Sequence, residues 1–133
     1  MSEPGDVPAE VVDVVETRLD VAAPDGYRLG AVLLARADLR DPVDAVVFNA
    51  GGGLSSLRYR HFLRFLARQG LPVLAYDYRG VGISRPASWR NFDAGIEDWC
   101  ELDQVSAIDA MRARFPAARL ASVSHSIGCM IAA

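Results

Sequence analysis

The sequence predicts an α/β fold in which helices flank a mostly parallel sheet, with an antiparallel hairpin at the N-terminus. Three observations predict it. Short, nearly all-apolar runs occur at 45–49, 72–78 and 120–123, the pattern of strands covered on both faces. Between them, apolar residues recur at helical spacing, and strands alternating with helices form a parallel sheet. Ahead of them, two stretches of strand character flank Pro24-Asp25-Gly26, a turn signal.

Taken in order, residues 1–9 read as a loose polar leader to a single domain over 1–133. β-branched residues dominate from Val11 to Val15, then Thr17, Leu19 and Val21 alternate with Arg18 and Asp20. That alternation predicts a half-buried strand, and 27–35 supplies its hairpin partner. After the run at 45–49, Gly51-Gly52-Gly53 breaks the chain. Tyr59, Phe62, Leu63 and Leu66 then predict a helix that Gly70 ends.

The strand at 72–78 leads into a turn-rich loop over 79–86. A second helix is predicted from Asp98, a good N-cap residue. It carries the stripe Trp99, Leu102, Val105, Ile108, Met111 and Phe115, and Pro116 lies just past its end. The third buried strand follows at 120–123, and another helix opens at Ile127.

Composition excludes several classes of partner. The 133 residues are 51% hydrophobic and 23% charged, with a formal net charge of −3, as in a globular protein. The acidic balance argues against nucleic acid or an anionic membrane as main partner. All 14 basic residues are Arg, which we attribute to GC-rich coding rather than chemistry. Cys100 and Cys129 show no metal-ligand or CxxC spacing and read as reduced thiols. The first residues are acidic without an apolar core, unlike a signal peptide, and no run is long enough to span a membrane. The expectation is a soluble cytoplasmic protein.

Ser124-His125-Ser126-Ile127-Gly128 joins a predicted strand to a predicted helix. Small residues on both sides of a central serine allow the sharp turn that lifts a nucleophilic hydroxyl clear of a sheet. The plainer alternative is that Ser126 caps a helix. Gly51-Gly52-Gly53, taken alone, reads as an ordinary tight turn. Nucleotide binding fails at both glycine loops. Arg85 holds the third glycine position after Gly80 and Gly82, and no Gly-Lys-Ser/Thr follows Gly53.

With Asp77-Tyr78-Arg79-Gly80-Val81-Gly82-Ile83-Ser84 between these two features, the chain resembles the N-terminal half of an α/β-hydrolase. It is most similar to bacterial hydrolases related to serine aminopeptidases and monoglyceride lipases. The resemblance covers nearly the whole chain and about half of a family member.

It implies that Ser126 is the nucleophile of a serine hydrolase acting on an ester, thioester or amide. The amides of Ile127 and Gly51 would form the oxyanion hole, with Gly52 as fallback for the second donor. Asn49 stands where many members have His. Asp77, Arg79 and Ser84 would hold a structural turn, and Asp98, Asp103 and Asp109 read as cap and solvent-face residues. Neither His61 nor His125 is a convincing base, His125 pointing away from the serine oxygen. Cys129 replaces a common Gly and would tighten packing under the elbow.

The resemblance implies no metal or organic cofactor and a small acyl substrate. The acid and base would belong to a C-terminal half beyond Ala133, so the chain as given is expected to be inactive, with the strand ending at Val123 left as an edge. The alternative is a silent remnant or a non-catalytic binding module.

Overall fold

The computed structural model describes residues 12–132. The predicted leader over 1–9 and the start of the first β-rich stretch at Val11 lie outside the described residues. Strands β1 (Val14–Ala22) and β2 (Arg28–Arg36) form the predicted hairpin, and Pro24-Asp25-Gly26 makes its turn. The remaining strands are β3 (Asp44–Asn49), β4 (Val73–Tyr76) and β5 (Arg119–Ser124). They assemble in the order β1-β2-β4-β3-β5. The hairpin joins β4 antiparallel, whereas β3 pairs parallel with both β4 and β5. The sheet is therefore mixed, with parallel strands in the half that carries the motifs.

Period-2 alternation splits the apolar side chains between two cores. Ala31 and Leu33 of β2, Ala45 and Val47 of β3, and Leu74 and Tyr76 of β4 face one side. There they meet Ala107 and Met111 of helix α3 (Val105–Arg114) and Ile131 of helix α4 (Ile127–Ile131). Val32, Leu34, Val46, Phe48, Val73 and Ala75 face the other side, against Leu63 and Ala67 of helix α1 (Arg60–Arg68). The result is a sheet between two helical layers, the arrangement strand–helix alternation predicts.

Three expectations need correction. In α1 the buried positions are Leu63 and Ala67, while Phe62 is exposed, because a 3₁₀ turn over Ser56–Tyr59 precedes the α-helix and resets its phase. The second helix starts one turn early, as α2 (Ile96–Asp98), and Asp98 accepts the amide of Gly95 at 2.9 Å instead of occupying the N-cap. Trp99–Gln104 is then π-helical, and the wider turn rotates the stripe. Val105 becomes exposed, and Asp103, predicted to face solvent, is fully buried. Last, β5 is not covered on both faces but exposed along much of its length, while its place at the sheet edge among the described residues is the expected one.

Candidate active site

The chain leaves β3 toward α1 on one face and leaves β5 toward α4 on the other. Because these strands are neighbours, with Asn49 paired to Ser124, their outgoing loops diverge from one point at the carboxyl edge of the sheet. Such a switch point is where open α/β sheets bind ligands. The structure brings together there the predicted elbow at 124–128 and the predicted glycine loop at 51–53.

Ser126 sits at the apex with φ 56° and ψ −124°, a left-handed backbone that a non-glycine residue adopts only under constraint. It is exposed and makes no side-chain cap bond to α4, which removes the plain helix-cap reading. Gly128 shows why the turn needs a small residue. A Cβ there would lie 2.3 Å from the carbonyl oxygen of Asn49 and 2.8 Å from that of Ala50. The amides of Gly128 and Cys129 bond to the carbonyls of His125 and Ser126. The amide of Ile127 has no acceptor among the described residues.

Of the loop glycines, Gly51 is buried and its N–H donates to the hydroxyl of Tyr59 at 3.1 Å. Gly52 is exposed, its amide has no acceptor among the described residues, and a Cβ added to it would lie 3.3 Å from Ile127 Cγ2. His125 does turn toward the loop, its Nδ1 2.8 Å from the Tyr59 hydroxyl. His61 is exposed on α1. Cys129, expected to tighten packing, is instead exposed, and both cysteines are free.

Asn49 does more than stand in for His. Its side-chain amide donates to the hydroxyls of Ser122 (2.9 Å) and Ser124 (3.2 Å), and its oxygen accepts from the buried Tyr76 hydroxyl. The serine hydroxyl at position 124 therefore has a partner.

The segment 77–84 is a clamp. Asp77 accepts the amide of Ser56 at 2.6 Å, the hydroxyl of Ser55 at 2.9 Å and the amide of Ile83 at 3.0 Å. It thus holds the turn that follows the glycine loop. Gly82 has φ +48°, and a Cβ there would meet Asp77 Oδ2 at 2.2 Å. Ser84 donates to the Asp77 carbonyl and accepts the amide of Gly30.

Arg79 is buried and forked between two carboxylates. Its Nε donates to Asp103 at 2.9 Å and its Nη1 to Asp25 at 2.6 Å. Burial opposes the charge on Arg79, but the carboxylates more than offset that and its pKa lies above the usual arginine range. The hydrogen bond from Arg79 holds Asp25 below the usual carboxylate range. Burial pushes Asp103 upward against the same guanidinium and the Arg79 amide. Sequence reasoning missed Asp103 and Asp25 as partners of Arg79. The signal available was a lone arginine in a buried turn, which must find a counter-charge.

The sheet order and the helices on its two faces are those of the N-terminal half of an α/β-hydrolase. The chain belongs to the serine aminopeptidase S33 family, whose family model matches residues 40–133. No curated protein matches it significantly.

Solved structures of similar fold include an esterase from Pyrococcus furiosus, with TM-score 0.72 and 20% identity over 90% of this chain and 43% of that one. A carboxyl esterase from Bacillus coagulans aligns with TM-score 0.70 and 22% identity over 90% of this chain and 39% of its own. An epoxide hydrolase from an endophytic Streptomyces aligns with TM-score 0.60 and 26% identity over 88% of this chain and 31% of its own. The chain spans less than half the length of each.

Proposed function

We propose that Ser126 is the nucleophile of a serine hydrolase that cleaves an ester, thioester or amide through an acyl-enzyme. The observation that carries this reading is the positive φ of Ser126 at the β5–α4 junction. Backbone strain of about 1–3 kcal/mol persists where the surroundings impose it, and it clusters at functional sites.

In the proposed reaction a base takes the Ser126 proton as Oγ attacks the substrate carbonyl carbon, and the carbonyl electron pair moves to oxygen. The N–H of Ile127 and one loop amide stabilise that oxyanion; the family pattern gives Gly51, with Gly52 as the fallback. Collapse expels the leaving group, which receives the proton from the base. Water then attacks the acyl-Ser126 by the same route, releasing the acid and restoring the hydroxyl.

We assign the base to neither His61, exposed on α1, nor His125, bonded to Tyr59. Base and orienting acid are proposed to come from polypeptide outside these 133 residues, in line with the 43% coverage of the Pyrococcus esterase. Esterase chemistry leads over peptidase chemistry, supported by the two esterases of similar fold. The proposed location is the cytoplasm; no described helix is long and apolar enough to cross a membrane.

The test is hydrolysis of p-nitrophenyl butyrate by the full gene product and its Ser126→Ala variant. We expect the variant to lose at least about 10³-fold in kcat, since losing a serine nucleophile has cost far more in a studied protease. Equal rates would overturn the assignment. An inactive wild type would favour a non-catalytic remnant or binding module.

A further inference from the structure

We infer that Tyr59 and His125 are positioning residues that hold the Gly51 amide away from the reacting oxygen and leave Gly52 as the loop's oxyanion donor. The inference rests on Ser126 being the nucleophile. Gly51 N–H can only donate, so the Tyr59 oxygen accepts it at 3.1 Å. The phenol has one proton of its own, and we assign it to His125 Nδ1, 2.8 Å away, in the tautomer that leaves Nδ1 free to accept. The chain Gly51 N–H to Tyr59 O–H to His125 Nδ1 is thereby complete, and it requires the neutral imidazole with its proton on Nε2. The Tyr59 ring is fixed as well, packed at 4.7 Å on Phe48 and edge-on at 5.5 Å to His125.

An N–H committed to a phenol has no second proton for a substrate oxygen. The neighbouring amide is free: Gly52 N–H meets no acceptor among the described residues, and neither does Ile127 N–H. These two residues are neighbours, since a methyl added at Gly52 would lie 3.3 Å from Ile127 Cγ2. The bridge from Tyr59 to His125 ties this loop directly to the elbow. Moving the duty from Gly51 to Gly52 turns the peptide without adding a residue.

The test uses the full gene product with p-nitrophenyl butyrate. Tyr59→Phe should lower kcat about ten-fold or more, within the range that disturbing one donor allows. KM should stay within about two-fold, because the effect lies in the transition state. Affinity for a trifluoromethyl ketone, which binds as an oxyanion, should fall in parallel with kcat.

His125→Leu should match that loss. His125→Asn, which keeps an acceptor near the Nδ1 position, should recover most of it. The double variant Tyr59→Phe/His125→Leu should be no worse than either single, as members of one chain are non-additive. Amide exchange at Gly51 should quicken in Tyr59→Phe, a readout independent of turnover.

Unchanged or faster hydrolysis by Tyr59→Phe would overturn the inference, marking the phenol as idle or as a plug over Gly51. Unchanged Gly51 exchange would overturn it too. Ser126→Ala hydrolysing as fast as wild type would instead sink the nucleophile reading, and the donor assignment with it.

Discussion

The carbonyl oxygen of Asn49 accepts the amide of His125 at 3.1 Å, so the last residue of β3 is bonded to the residue before the elbow serine. The Asn49 side chain repeats the link one pair below, through Ser122 and Ser124. Both loops of the proposed oxyanion hole therefore hang from one residue.

Replacing Asn49 with Leu should strip the Tyr76 hydroxyl of its acceptor in a fully buried setting. An unsatisfied buried polar group costs about 1–3 kcal/mol. Urea unfolding should show a loss of that size, and adding Tyr76→Phe should recover part of it. Additive losses would show that the bond contributes nothing.

At Gly128 an alanine methyl would collide with backbone carbonyls that cannot rotate away. Overpacking of this kind costs about 1–3 kcal/mol. Gly128→Ala should lower the melting temperature and displace the Ile127 amide, so hydrolysis should fall further than stability alone accounts for. Wild-type activity in this variant would mean that the elbow is looser than its contacts imply.

Removing one member of the buried Arg79–Asp103 pair should be among the most damaging changes away from the site. Asp103→Ala leaves a guanidinium 5% exposed without its inner partner. Breaking a buried pair from one side costs about 3–5 kcal/mol. A loss under about 1 kcal/mol, the scale of surface pairs, would show that Asp25 alone neutralises Arg79.

Acid should weaken the fold through Glu16 and Asp25. Hydrogen bonds from Arg60 and Arg79, respectively, hold their pKa values below the ordinary ones. A carboxylate depressed on folding contributes stability that is complete above its unfolded pKa and is lost as pH falls through the folded one. The decline should thus begin near pH 4, about where these groups titrate unfolded, and continue below. In the Glu16→Gln/Asp25→Asn variant, denaturant midpoints should fall less between pH 5 and pH 3, about the span of the titration. An identical decline would place the acid sensitivity elsewhere.

The strands were legible because apolar runs and the Pro-Asp-Gly turn are local signals, and each lies within a few residues of its predicted place. The Asp77–Ser84 segment is legible as a structural turn through the family resemblance, but its partners are not. Asp25 and Asp103 reach Arg79 from 54 and 24 residues away, and no local pattern marks such a meeting. The helical period places Asp103 on the solvent face, but a π-helical turn over Trp99–Gln104 breaks that period, and the hydrogen-bond pattern of a helix is invisible in its side chains. In the sequence Tyr59 is one member of an apolar stripe. Its hydroxyl matters only because β3 and β5 are neighbours, a fact of sheet order.

The central claim, that Ser126 is the nucleophile, is tested most directly by labelling the full gene product with a fluorophosphonate and mapping the adduct by mass spectrometry. The account predicts a single adduct on Ser126, absent from Ser126→Ala. An ester-hydrolysing protein that carries the adduct on another residue, or none at all, would contradict it.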